Sequence, residues 1–538
     1  MRRTARWIAI VATVTAVVSA APSGYGADRP PGLVRAQIAQ GVLEGEALPG
    51  VAAFRGIPYA APPVGDARFR APGAAAPWPG IRSALDMGPA CPQLIDDDPT
   101  ENGAAVMAED CLFLNVWTPK VGTGKRPVLF WIHGGAFVVG SSRNTLYDGS
   151  RLAAREGVVV VSINYRLGAW GFLSLGTLDA GYRESANLGL LDQVAALRWV
   201  RDNIAHFGGD PANVTVFGES AGASSVGALL SMPEARGLFA KAILQSGVPS
   251  DRPAEAFARQ NRLAEQFLKA AGVTTPAQLS TRTMKDLLRG QEKLFGEHSD
   301  LGTFVPSIDG VVLREKPFTV VAEGRGSRVP ILIGTTAEEM QYFATAEDLG
   351  IDEKPRDLLL EQLRAVVGER AGDVLGVYER LYPRWGDAVV QIASDAVMRF
   401  PTIRIAEAAS RHQPVYMYLF TYRSNSTFRP FGSAHAMELP FVFGVLNAPE
   451  AVAFTGRDPA RYALSDTIMD AWAAFARSGN PTPPGGPAWP RYEPSRRQTL
   501  ELGPTVRVVD DPLSEQRRVW GTAVPTVEQA WQFLQVNR

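Results

Sequence analysis

The chain has 538 residues, 46% hydrophobic and 20% charged, with a formal net charge of −1. That balance is ordinary for a soluble globular protein, and its near neutrality implies no nucleic-acid partner. The length would allow several domains, but α/β enzymes often run this long as one unit, and no internal repeat or long charge run divides the chain.

The N-terminus reads as a signal peptide over residues 1–20. Arg2, Arg3 and Arg6 give a positive start, residues 7–18 are apolar, and Val18-Ser19-Ala20 offers a small-residue cleavage site. Cleavage is expected between residue 20 and about residue 27. After Ala20 it would remove three arginines and no acid, moving the charge from −1 to −4. The apolar run is short for a membrane span. The expectation is therefore a secreted or periplasmic protein with no stable membrane partner, retention as an anchor being the alternative.

Residues 127–132 form a continuous apolar run that reads as a strand and leads into His133-Gly134-Gly135-Ala136-Phe137. Small residues there leave backbone N–H groups free to face a developing oxyanion. A plain turn is the competing reading.

Residues 214–217 read as another strand. It enters Gly218-Glu219-Ser220-Ala221-Gly222 and then a helix-like run over residues 221–230. Strand, G-x-S-x-G, helix is the context of a nucleophile elbow, with Ser220 as the nucleophile. So tight a turn strains the serine backbone and needs small neighbours. The helix N-terminus favours arriving negative charge, and the Ala221 N–H adds a donor. The alternative is an ordinary strand-to-helix turn.

A serine hydroxyl needs a histidine to take its proton and a carboxylate to orient that histidine. With this elbow the chain order is serine, acid, histidine. The histidines are His133, His206, His298, His412 and His435, and three follow Ser220. His298 sits in a polar run. His412 follows a helix-like stretch over residues 405–411 and suits the helix dipole there. His435 lies in a small-residue loop, residues 432–440, after a strand at 415–420. Loops beyond strand ends are where such sheets carry catalytic groups. The acid should follow a strand as well. Residues 329–336 read as one, and Ala337-Glu338-Glu339-Met340 comes next. Spacing does not choose between the two glutamates, and both could be the acidic first turn of a helix. No P-loop and no cysteine–histidine cluster of zinc spacing is present, so no cofactor and no metal is implied.

Further segments carry a family likeness: Phe54-Arg55-Gly56-Ile57-Pro58-Tyr59, Glu109-Asp110-Cys111-Leu112-Phe113-Leu114-Asn115-Val116, Asn164-Tyr165-Arg166-Leu167-Gly168, Asn187-Leu188-Gly189-Leu190-Leu191-Asp192-Gln193 and Phe207-Gly208-Gly209-Asp210-Pro211. With the elbow, they resemble the type-B carboxylesterases, the carboxylesterase and cholinesterase branch of the α/β-hydrolase fold, from about Val34 to Trp520. The resemblance implies an α/β fold, with a large, mostly parallel central sheet flanked by helices and insertions forming an active-site gorge. It implies a single domain over residues 34–530. It assigns the acid to Glu339, with Glu338 the runner-up, and the oxyanion donors to Gly135, Ala136 and Ala221. Gly134, Glu219 and Ser246 are expected beside them. Met340 stands where the family usually has glycine. The two cysteines, Cys91 and Cys111, match a family disulfide, which by loop length would stabilise by roughly 3 kcal/mol.

The implied activity is hydrolysis of carboxylic esters of small to medium acyl chain, with ester and water as partners and a monomeric state. The loop from Cys91 to Cys111 contains no tryptophan, which argues against choline esters. Gly302, where cholinesterases carry a bulky aromatic, suggests a roomier acyl pocket. The Gly-Gly-Ala element suggests turnover of tertiary-alcohol esters. A lipase, a peptidase, a carbamate, pyrethroid or polyester hydrolase, and a non-catalytic binding or adhesion homologue are the rival readings.

Overall fold

A computed structural model of the protein describes residues 32–94, 106–249, 254–297, 303–343, 350–428, 431–483, 485–523, 525 and 527–535. The signal-peptide segment, His298 and Gly302 lie outside them.

Thirteen strands among these residues form one sheet. They are β1 Gly32–Ile38, β2 Gly41–Leu48, β3 Val51–Pro58, β4 Ile81–Ser83, β5 Phe113–Thr118, β6 Gly122–Ile132 and β7 Val159–Ile163. Then follow β8 Phe207–Glu219, β9 Lys241–Gln245, β10 Ile331–Thr336, β11 Val415–Phe420, β12 Gln498–Leu502 and β13 Arg507–Asp510. The order is β1-β2-β3-β5-β7-β6-β8-β9-β10-β11-β12-β13, with β4 beside β2. From β7 to β12 every pairing is parallel, and antiparallel strands close both edges. Strands β7, β9, β10 and β11 are buried throughout. Near-continuous apolar runs are what a parallel sheet covered on both faces demands.

Alternation along each strand divides the core. Phe130 and Ile132 of β6 join one apolar cluster with Ile333, Met417 and the helix Ala221–Ser231. Leu129 and Trp131 face the other side, with Phe217, Tyr418 and Trp472 of the helix Ala460–Ser478. A third cluster lies among the helices Arg356–Val367, Ala371–Leu381 and Trp385–Ser394 and includes Trp520.

Strand order reverses direction between β7-β6 and β6-β8, which leaves a crevice beyond the strand ends. The register aligns those ends. Ile132 pairs with Gly218, Glu219 with Gln245, Gln245 with Gly334, and Thr336 with Phe420. The candidate groups that follow these strands therefore emerge along one rim.

Boundaries differ modestly from expectation. The strand expected at 214–217 extends back to Phe207, because its N-terminal part pairs with the start of β6. The helix expected at 405–411 is Phe400–Ala409. His412 follows it and donates from Nε2 to the Ala322 carbonyl at 2.8 Å. Arg166 and Asp192 form a fully buried bidentate pair with contacts of 2.6 and 2.8 Å, which ties two of the family segments together.

Candidate active site

Ser220 sits between β8 and the helix Ala221–Ser231 with φ 57° and ψ −122°. A side chain other than glycine rarely adopts that conformation, so the turn is strained. The strain is enforced by packing. A Cβ on Gly222 would lie 2.1 Å from the Ile132 carbonyl oxygen. The Ser220 N–H donates to the Gln245 carbonyl at 2.9 Å, and its own carbonyl receives the Ser224 N–H.

The two glutamates part company. Glu339 Oε2 accepts from His435 Nδ1 at 2.6 Å, and its Oε1 accepts the Thr336 N–H at 2.8 Å. The Glu339 carbonyl also receives the His435 N–H at 3.2 Å. Glu338 turns the other way, accepting the Ser433 N–H at 2.8 Å and meeting Arg423 at 2.5 Å. Both lie at a short 3₁₀ turn, Glu339–Gln341, not a longer helix. Met340 buries its side chain in the third cluster and so anchors the loop from behind. The rings of Phe343 and Tyr342 stand 5.2 and 6.1 Å from the imidazole.

The far nitrogen of His435 meets a second carboxylate. Glu219 Oε1 lies 3.0 Å from Nε2, without hydrogen-bond alignment. Burial alone would lower the pKa of His435, but Glu219 and Glu339 together outweigh it and hold the pKa well above the ordinary value. Burial raises the pKa of Glu219, with the His435 charge opposing that rise.

The loop of residues 134–137, expected to receive the oxyanion, borders the elbow. Gly134 approaches so closely that a Cβ there would lie 2.9 Å from the Glu219 carboxylate and 3.1 Å from Ser220 Cβ. Gly135, Ala136 and Phe137 have φ of 104°, 53° and 65° and turn the loop back. The N–H groups of Gly135 and Ala136 have no backbone acceptor among the described residues. Ala221 opens its helix, so its N–H has no partner within it. The strand end is braced by Tyr165, whose hydroxyl donates to the His133 carbonyl at 2.9 Å and whose ring stacks on the His133 imidazole. Burial pushes the pKa of His133 down to about 4, which keeps the ring neutral. Gln93 pairs with both the N–H and the carbonyl of Gly140 at 2.9 and 3.0 Å. The adjoining Cys91 is disulfide-bonded to Cys111, as the resemblance implied.

The Carboxylesterase family model matches residues 33–520. The chain belongs to that family. A para-nitrobenzyl esterase of Bacillus subtilis (strain 168) is 41% identical over 488 residues, covering 89% of this chain and 96% of that protein. Liver carboxylesterase 1 of Oryctolagus cuniculus is 35% identical over 528 residues, covering 89% of this chain and 90% of that protein. A solved carboxylesterase of Geobacillus stearothermophilus superposes with a TM-score of 0.81 at 39% identity, covering 90% of this chain and all of that one. The α/β-hydrolase architecture expected from the sequence is therefore the observed one, and this carboxylesterase-family chain is a carboxylic ester hydrolase.

Of the expected residues, this carboxylesterase brings His435, Glu339 and Glu219 into contact and sets Gly134 against Ser220. Ser246 follows β9 with φ 48°, fully buried, its hydroxyl without a hydrogen-bond partner among the described residues. Sequence reasoning missed Glu438. It lies three residues after His435, within the small-residue loop of residues 432–440. Its Oε1 accepts from Gln245 at 3.1 Å, and Gln245 in turn accepts from Trp472 at 3.1 Å. Burial, then the charges of Glu219 and Glu339, push its pKa up to about 8. Two buried carboxylates, Glu219 and Glu339, thus bracket the imidazole, while Glu438 is buried against Gln245.

Proposed function

We propose that this protein is a secreted serine carboxylesterase that hydrolyses esters of small to medium acyl chain through Ser220, His435 and Glu339. The observation that carries the reading is the 2.6 Å contact between Glu339 and His435 Nδ1, made beside a strained elbow serine. Ser220 Oγ attacks the ester carbonyl as neutral His435 takes its proton at Nε2. The N–H groups of Gly135, Ala136 and Ala221 receive the oxyanion. His435 then protonates the leaving alkoxide, and an acyl-enzyme forms. Water, deprotonated by the same imidazole, releases the acid. Glu339 stabilises the imidazolium in both halves. The charges of Glu219 and Glu339 favour the protonated ring while the enzyme rests, so turnover starts from the fraction in which His435 is neutral.

Export is part of the proposal. The N-terminal pattern of residues 1–20 supports it, and so does a disulfide of the kind that persists in oxidising compartments. A monomeric state is part of the proposal, and it is compatible with every group given a role lying on one chain.

The test is a p-nitrophenyl ester series from acetate to palmitate with the mature protein, Ser220→Ala alongside. Rapid turnover of short and medium chains, abolished in the variant, is expected. A maximum at palmitate with interfacial activation would favour a lipase, and inactivity on every chain length would favour a binding role. Slow turnover of tert-butyl acetate is also expected. Its absence beside good ethyl acetate hydrolysis would remove the tertiary-alcohol reading.

A further inference from the structure

We propose that Gln391, held by the buried Asp395–Arg399 ion pair, and Ser394 are positioning residues that fix the Glu339 carboxylate against His435. The proposal rests on the triad reading above.

The segment carrying Glu339 has little regular structure, so other groups must fix its path. From the sheet side the Ala337 N–H donates to Phe420 and the Glu338 N–H donates to Ser433, both at 2.9 Å. From behind, two side chains of the helix Trp385–Ser394 hold it. Gln391 Nε2 donates to the Ala337 carbonyl at 3.1 Å. Ser394 Oγ accepts the Met340 N–H at 3.0 Å while donating to the Val390 carbonyl at 2.9 Å. Residues three apart share a helix face, so this pair grips both ends of the four-residue segment. Both side chains are buried.

Gln391 is itself held. Its Nε2 also donates to Asp395 Oδ1 at 3.1 Å. Asp395 receives Arg399 Nε at 2.7 Å, Arg399 Nη2 at 2.8 Å and the Tyr378 hydroxyl at 2.5 Å. Trp520 Nε1 donates to that hydroxyl at 3.0 Å. With Gln391, four donors saturate the two carboxylate oxygens. The residues Asp395–Arg399 form a π-helical turn directly continuing the helix. Such turns are rare and concentrate at functional sites. A buried ion pair is weak evidence for stability alone, because apolar residues of like volume often serve as well. Here the pair orients an amide that touches the loop of the triad acid. That gives it a role beyond filling space.

The test compares Gln391→Leu, Ser394→Ala, Glu339→Gln and Ser220→Ala with the parent by kcat, KM, the pH profile of kcat/KM and thermal unfolding. A small misplacement of a reacting group costs on the order of 100-fold. We expect kcat of Gln391→Leu to fall about 10- to 100-fold with KM unchanged. We also expect its histidine limb to move to lower pH, because a displaced carboxylate holds the imidazolium less well. Ser394→Ala, which adds no volume, should show the same pattern in weaker form. It decides the matter alone if Gln391→Leu does not fold. A lowered unfolding temperature with parental kcat and an unmoved limb in both variants would reduce the two residues to structural ones and overturn the inference. Should Glu339→Gln or Ser220→Ala keep the parental rate, the triad reading itself fails, and the positioning role with it.

Discussion

Glu219 Oε1 lies 3.0 Å from His435 Nε2, on the side of the ring opposite the 2.6 Å contact with Glu339. The imidazole is bracketed by carboxylates at both nitrogens. The bracket stabilises the protonated ring, whereas attack by serine requires the neutral one. In the proposed mechanism Glu219 is thus a brake on the resting enzyme and a stabiliser of the imidazolium that forms during reaction.

Removing the Glu219 charge has a definite sign. The activity of a general-base histidine rises with pH through its pKa. Glu219 raises that pKa. Glu219→Gln is therefore expected to move the acid limb of kcat/KM to lower pH. It should also reduce kcat at the plateau, because the imidazolium loses a partner in the transition state. A pH–rate profile measures both, and an unmoved limb would mean that Glu219 does not face the histidine in solution.

The neighbouring glutamates should separate cleanly. Glu339→Gln keeps the shape but loses the charge that orients and stabilises the imidazolium, and kcat should fall about 10³- to 10⁴-fold. Glu338→Gln alters only the contacts with Ser433 and Arg423. A stability loss of about 0.5–1.5 kcal/mol is expected from the weakened hydrogen bond, with most of the rate retained. Urea unfolding and steady-state kinetics on both variants check this. A reversal of the two kinetic effects would assign the acid to Glu338.

Glu438 should write itself into the pH dependence of stability. Its folded pKa is raised to about 8, above the ordinary carboxyl value near 4.3. The folded state therefore holds a proton that the unfolded chain releases, and stability from this group falls as pH climbs between those values. It is fully present below the unfolded pKa and lost through the folded one. Glu438→Gln removes this slope. Chemical unfolding of parent and variant across that window should show a flatter profile for the variant, and parallel profiles would mean that Glu438 ionises normally.

What could be read in advance follows from where each constraint acts. The elbow and the Gly-Gly-Ala loop impose local backbone demands, and small residues at Gly134 and Gly222 answer them in the sequence itself. His435 was reached by chain order, because few histidines compete. Glu338 and Glu339 were not separable by spacing. Adjacent residues at a 3₁₀ turn project in different directions, and partners from distant segments, Arg423 and Ser433 against His435, decide which way each points. The Gln245–Glu438–Trp472 network joins residues far apart in the chain, and no periodicity reports it. Gln391, Asp395 and Arg399 stand at helical i, i+4 spacing, but that spacing does not say that their helix packs behind the segment carrying Glu339. Met340 stands where the resemblance leads one to expect glycine, and only the third apolar cluster shows what an apolar side chain does there.

The disulfide connects stability to the oxyanion loop. Cys91 and Cys111 are buried and cross-linked, and Gln93, two residues on, clasps Gly140 at the end of the loop carrying Gly135 and Ala136. In the chain-entropy account, losing so short a cross-link costs roughly 3 kcal/mol through the unfolded state. The Gln93–Gly140 pair survives in the folded enzyme, so the effect should fall on stability more than on rate. Urea unfolding of the parent and of Cys91→Ala/Cys111→Ala should show a lower midpoint for the variant, with kcat at low temperature retained. A large loss of kcat in folded variant would instead mean that the cross-link holds the oxyanion loop in its reactive shape. An unchanged midpoint would mean that Gln93 and the packing around it already fix the loop without the bond.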